Sequence, residues 1–175
     1  MDARIERIRS RIRDVPDFPR PGILFKDITP VVADGQAFSD AVDLLASRYA
    51  GQEIGAIVAI EARGFLFGGA LAMRLHCGVA LVRKQGKLPY QSDRVSYALE
   101  YGEGALEMHV DALSRGERVV IVDDLLATGG TARAAADLCT RQGAVVIEYA
   151  FLVELGFLDG RARLLPTPVH ALVQF

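Results

Sequence analysis

The chain is poor in the residues that build metal and redox sites. Its 175 residues include no tryptophan, 2 cysteines, 3 methionines and 3 histidines. Cys77 and Cys139 each sit in an apolar helical pattern, with neither zinc-site spacing nor the density of a disulfide framework. A reduced, cytoplasmic interior is the expectation. His76, His109 and His170 lie far apart without ligand spacing, so structural or surface roles are expected and the protein has no evident metal site of its own. No apolar run reaches the roughly 18 residues of a membrane span, so no membrane partner is expected. The arginine-rich stretch from Arg4 to Arg13 is broken by Glu6, flanked by Asp2 and Asp14, and followed by no apolar signal core. Charge is nearly balanced, 20 Lys and Arg against 22 Asp and Glu, and gives no reason to expect nucleic acid as a partner. Internal repeats, low-complexity tracts and linkers are absent too.

What is there suits a globular protein: 51% hydrophobic and 24% charged residues, in a chain long enough for one domain with a substantial core. Ile5, Ile8, Ile12 and Val15 fall near one helical face, predicting an N-terminal helix that packs on the domain or on a second subunit. Pro16, Pro19 and Pro21 exclude regular structure over 16–22. Periodicity predicts a helix over 38–49 with Ser39 near its start, and a buried strand over 56–60. A helix over 65–75, despite Gly68 and Gly69, and a strand over 79–83 come next. From Arg83 to Tyr101 the pattern fails, except that 95–99 alternates like a strand, with 106–110 as a candidate hairpin arm. A strand at 119–122, a helix to about Gln142, and strands over 144–153 and 169–173 complete the chain. Strands alternating with helices predict an α/β fold with a central, mostly parallel sheet flanked by helices. All of 1–175 is expected to form a single domain, with an N-terminal extension over about 1–35 and a flexible insertion over about 84–101.

One stretch carries most of the functional information. Val119, Val120, Ile121 and Val122 lead into Asp123, Asp124, Leu125 and Leu126, and then into Ala127, Thr128, Gly129, Gly130 and Thr131 ahead of an alanine-rich helix. A loop between a strand end and a helix start is where open α/β sheets bind ligands. Glycines let backbone N–H groups come close, and the helix dipole favours an anion. The two carboxylates suit hydroxyls or a divalent cation, so the pattern describes a sugar phosphate site. Neither common nucleotide signature is present: Gly130 is followed by Thr131 rather than the Walker lysine, and G-x-G-x-x-G occurs nowhere.

This stretch resembles the signature of the type I phosphoribosyltransferases. Four others follow the family's order: 17–30 (DFPRPGILFKDITP), 61–65 (EARGF), 83–89 (RKQGKLP) and 96–102 (SYALEYG). The resemblance runs from about Ile12 to Phe175 and is closest to the family's adenine-using members. It implies transfer of the 5-phosphoribosyl group of phosphoribosyl pyrophosphate (PRPP) to N9 of adenine, giving AMP and pyrophosphate, with Mg²⁺ and in a homodimer. It also implies that residues 1–35 include a base-binding hood and that the insertion is a lid.

By the same resemblance, residues 127–131 bind the 5-phosphate, and Asp123 and Asp124 hold the ribose hydroxyls. Arg63 would grip the pyrophosphate, a task suited to a planar, always-charged guanidinium. Arg83, Lys84, Lys87 and Tyr101 would contact phosphate as the lid closes over a carbon with oxocarbenium character, excluding water. Glu100 would hydrogen-bond or protonate N7 of the base. Leu24, Phe25 and Lys26 would read adenine through main-chain groups, with Phe25 and Leu125 on either side of the ring. Mg²⁺ would arrive with PRPP and be held mainly by its oxygens and water. The residues alone leave several alternatives open. Arg63 could pair with Glu61, the basic stretch 83–87 could be a solvated loop, Glu100 could be an exposed strand end, and Phe25 could be a core residue. At the level of function, the alternatives are another 6-substituted purine as substrate, or a PRPP-sensing regulator without turnover.

Overall fold

The computed structural model describes residues 2–98 and 103–175. Asp2 caps the first helix, α1 (Ala3–Arg11), by accepting from the Arg4 N–H. Ile8 is fully buried, with Ile5 and Ile12 partly buried against the same core. The apolar stripe is therefore used inside the chain and gives no support to a second subunit. Strands β1 (Arg13–Pro16) and β2 (Leu24–Asp27) form an antiparallel ribbon. Pro16 is the last residue of its strand in a two-stranded ribbon, where both strands are edges and proline is tolerated. The irregular segment is thus the turn that follows, where the Asp17 carboxylate accepts from the Gly22 N–H at 2.8 Å. The short helix α2 (Thr29–Ala33) leads into α3 (Gly35–Arg48), which begins earlier than its apolar pattern suggests. Asp34 explains the early start, because its carboxylate caps the Gln36 and Ala37 N–H groups.

The remaining elements are β3 (Ala56–Ile60), α4 (Gly64–Leu75), β4 (Gly78–Lys84), β5 (Ser92–Ala98), β6 (Glu103–His109), β7 (Arg118–Leu126), α5 (Gly130–Arg141), β8 (Val145–Glu154), α6 (Gly160–Leu164) and β9 (Val169–Gln174). Seven strands form one sheet in the order β5-β6-β4-β3-β7-β8-β9. The pairings from β4 through β3, β7 and β8 to β9 are parallel, and β6 pairs antiparallel with both β4 and β5. Val95 opposes Leu106, as the alternation over 95–99 suggests, and both are buried. Most of the expected insertion beyond Gln91 is therefore sheet as far as Ala98.

Both faces of the central strands are covered, which is why they read as continuous apolar runs. All five residues of β3 are buried. Val58, Ile60, Val119 and Ile121 join the core that contains α5, whereas Ile57, Val120 and Val122 join the one that contains α3 and α4. Gly68 permits the helix–sheet contact on that side, since a Cβ there would lie 2.6 Å from the Ala59 Cβ. Among the described residues, no helix is long and apolar enough to cross a membrane.

Candidate active site

Strand β3 has β4 on one side and β7 on the other, so the chain reverses its direction of travel across the sheet between β3 and β7. A crevice opens at the carboxyl ends of strands at such a switch point. Arg63 follows β3, and Asp123 and Asp124 lie near the end of β7. Asp124 continues the face of Val120 and Val122, toward α4, and its carboxylate accepts from Arg63 Nε at 2.5 Å. The Arg63 side chain is 48% exposed and that of Asp124 only 7%, so one end of the guanidinium is fixed while the other is open to solvent, and Arg63 lines neither of the two cavities described below. Gly64 makes this approach possible, because a Cβ would sit 2.8 Å from Asp123 Oδ1 and 2.9 Å from the Val122 carbonyl oxygen.

Of the two carboxylates, that of Asp124 is the one ion-paired with Arg63 among the described residues. Asp123 Oδ1 accepts from the Asp124 N–H at 2.8 Å. Burial, followed by the charge of Asp124, pushes the Asp123 carboxyl well above its ordinary value of 3.8. The largest share of that rise comes from loss of water around the carboxyl, and the adjacent Asp124 carboxylate adds a like-charge penalty. Hydroxyl donors or a cation would relieve it.

Residues 127–131 span the turn from β7 into α5. Gly129 has φ +80 and is the N-cap of α5, with no side chain hydrogen-bonded to that helix end. The first-turn N–H groups of a 12-residue helix therefore face a small cavity of about 80 Å³, lined by residues that include Asp123, Leu125, Thr128 and Thr131. The loop is braced from outside by α6. A Cβ on Gly129 would lie 2.6 Å from the Gly160 carbonyl oxygen, and a Cβ on Gly160 would overlap that of Ala127.

A cleft of about 810 Å³ extends from this turn to the hood. Leu24, Ala127, Thr128, Gly130 and Thr131 are among the residues that line it. Arg20, Ile23, Tyr97, Leu155, Phe157, Leu158 and Arg163 line it as well, and none of these is among the site residues expected from the sequence. A signal for the last four was available: Gly156 and Gly160 follow a buried strand, marking another strand-to-helix loop at the ligand-binding edge.

Other expected residues lie outside the cleft lining. Phe25 meets Phe18 edge-on, at 5.1 Å between ring centroids, and lines neither cavity. Leu125 lines the small one. Lys26 Nζ is 2.6 Å from Asp14 and 4.1 Å from the centre of the Phe175 ring, which gives it a structural attachment. The ribbon is only two strands wide, so β2 has an outer edge without a strand partner among the described residues. Such an edge offers backbone N–H and C=O groups.

Arg83 grips both oxygens of Glu61 at 3.1 and 3.2 Å and donates to the Lys87 carbonyl at 2.8 Å. The Lys84 N–H also reaches Glu61, at 3.0 Å. The Arg83 pair holds the Glu61 carboxyl below its ordinary value. Glu61 is thus the partner of Arg83, and Arg63 takes Asp124 instead. Glu100 and Tyr101 lie outside the described residues.

The Phosphoribosyl transferase domain family matches residues 31–168. The chain is 54% identical over 175 residues to an adenine phosphoribosyltransferase of Anaeromyxobacter sp. (strain Fw109-5), covering 100% of this chain and 99% of the relative. Its structure is similar to that of the adenine phosphoribosyltransferase from Thermoanaerobacter pseudethanolicus, with a TM-score of 0.95, 51% identity, and coverage of 98% and 99%. It is also similar to the Saccharomyces cerevisiae enzyme complexed with adenine and an imino-altritol bisphosphate, with a TM-score of 0.93, 38% identity, and coverage of 98% and 99%.

Proposed function

The chain belongs to the phosphoribosyl transferase family, and from that premise we propose that it joins PRPP and adenine, giving AMP and pyrophosphate in purine salvage. The observation that carries this reading is the pairing, at one switch point, of an uncapped helix N-terminus with a half-neutralised acidic pair. Relatives that cover nearly the whole chain and bear that activity support the choice of base.

The 5-phosphate sits on the N–H groups of residues 127–131 and the first turn of α5. Asp123 and Asp124 accept hydrogen bonds from the ribose 2- and 3-hydroxyls. Arg63 swings its free nitrogens onto the pyrophosphate, whose departing charge it stabilises. Arg83, Lys84 and Lys87 add positive charge beside Glu61, and Tyr101 a further phosphate contact. The outer edge of β2 at Leu24, Phe25 and Lys26 reads the base, with Leu125 beneath it. A main-chain acceptor facing the exocyclic amine of adenine would face another acceptor in hypoxanthine, a mismatch that buried hydrogen-bonding sites reject strongly. Glu100 helps N9 attack by hydrogen-bonding or protonating N7 while the N9 proton leaves.

The unbalanced charge at Asp123 and Asp124 suits a divalent cation brought in with PRPP. Mg²⁺ would be held mainly by PRPP oxygens and water, near the acidic pair. When bound, it neutralises charge on the pyrophosphate. The active unit is a homodimer in the cytoplasm.

Pyrophosphate release from PRPP and Mg²⁺, measured separately with adenine, hypoxanthine, guanine and xanthine, tests this function. Release with adenine alone is the expected result. Release with a different base would overturn the reading of β2, and PRPP binding without release would make the protein a sensor.

A further inference from the structure

Arg163 is, with Arg20, one of two arginines of the cleft that the scheme above leaves without a task. Its neighbour Arg161 is fully engaged: Nε and Nη2 each bind an oxygen of buried Glu154 at 2.7 Å, and Nη1 donates to the Val169 carbonyl at 2.6 Å. Arg163, two residues further along α6, is exposed and has no ion pair or side-chain hydrogen bond among the described residues. It lines the large cleft together with Thr128, Gly130 and Thr131. Its position is fixed by the tight contact of Gly160 with the Ala127 carbonyl, and a Cβ on Gly129 would lie 3.4 Å from the Arg163 Cβ.

Charge balance gives this position a purpose. A phosphate ester carries about −1.5 to −2 charges near neutral pH, whereas a helix N-terminus supplies only about half a positive charge. Residues 123–132 include two aspartates and no lysine or arginine. The first cation beyond them, Arg133, is paired with Asp137 at 3.0 Å. Arg20, the other arginine of the cleft, already has a partner. We propose that Arg163 is a further substrate-binding residue, whose guanidinium closes on the 5-phosphate from the solvent side of the loop, opposite the backbone N–H groups. The proposal rests on the PRPP reading and adds to it a contact from an element outside the signature.

Partial ligands separate the two ends of PRPP. Titration of ribose 5-phosphate and of pyrophosphate with Mg²⁺ into the wild type, Arg163→Ala and Arg163→Lys provides the test. The alanine variant should bind ribose 5-phosphate about tenfold more weakly, as expected for loss of one charge-assisted contact. The lysine variant should lose no more than about threefold, since it keeps the charge without the planar fork. Pyrophosphate affinity and the thermal midpoint should stay at wild-type values in both. In turnover with adenine, KM for PRPP should rise in the alanine variant while kcat holds. Unchanged ribose 5-phosphate affinity would overturn the proposal. Parallel weakening of both ligands with a lowered thermal midpoint would also overturn it, by making Arg163 a structural residue. A wild type that binds ribose 5-phosphate yet releases no pyrophosphate with any base would defeat the transfer reading, and the Arg163 comparison would still decide on this contact.

Discussion

The two ends of the cleft are built on different foundations. At the phosphate end, β7 is buried between β3 and β8, Gly129 is packed against Gly160, and Gly64 lies against Asp123. At the hood end, a two-stranded ribbon and the turn Gly156–Leu158 present Phe18, Leu24 and Phe157 to solvent, the last at 74% exposure. Backbone dipoles outcompete water for an anion only if they are fixed beforehand, which demands a rigid support. A flat base is held by apolar walls and a few edge groups, which peripheral elements can supply and can move to admit it. Within the cleft, Gly64, Gly129 and Gly160, where a Cβ would meet backbone or carboxylate oxygens, accordingly stand at the phosphate end, and the exposed Phe18, Leu24 and Phe157 at the hood end.

Four measurements bear on this contrast. The largest effect should come from Glu100, which lies outside the described residues: Glu100→Ala should lower turnover by about 10²–10⁴ while leaving PRPP affinity intact. Normal turnover would remove Glu100 from the chemistry. Next, Asp123→Asn combined with Asp124→Asn should weaken PRPP binding about 100-fold, through loss of two hydrogen bonds to charged acceptors. Unchanged PRPP affinity in calorimetry would discredit the ribose assignment. Gly129→Ala should raise KM for PRPP about tenfold and lower unfolding stability by about 1–3 kcal/mol, since alanine is strained at this φ and its methyl meets the Gly160 carbonyl. A variant with wild-type KM would mean that the loop is less rigid than its contacts indicate.

The smallest effect concerns pH. The folded-state carboxyl of Asp123 is raised above its ordinary 3.8, so the protonated form stabilises the fold. That contribution is complete below 3.8 and is lost as pH rises through the raised value. Ribose hydroxyls favour the carboxylate, so PRPP binding should release a proton in this window, and affinity should climb with pH by at most about tenfold per unit before levelling. Thermal midpoints recorded against pH, with and without PRPP, should converge at low pH and separate as it rises. Asp123→Asn should flatten the difference, and an unaltered profile would rule out Asp123 as its source.

Much of this molecule was legible in the chain. The runs 56–60 and 119–122 are buried strands because both sheet faces are covered, and continuous β-branched sequence is how that situation appears in one dimension. The turn from β7 into α5 was legible because a strand end, glycines and a helix start must be adjacent in sequence to form it. Strand β2 and helix α6 were not: they are four and five residues long, too short to establish a period, and exist through their partners β1 and Glu154. The same holds for pairing. Arg63 could as well have met Glu61 two residues away, but the face on which β7 carries Asp124 decided otherwise and left Glu61 to Arg83.

By itself, then, the sequence determined the α/β class, the strand–loop–helix order around 119–141 and the place of the acidic pair at its strand end, since these depend on local order along the chain. Tertiary structure alone decided which carboxylate each arginine meets, which segments wall the cleft, and that Gly160 and Arg163 stand beside a loop some thirty residues away. Such contacts depend on sheet order and strand register, which no local pattern encodes.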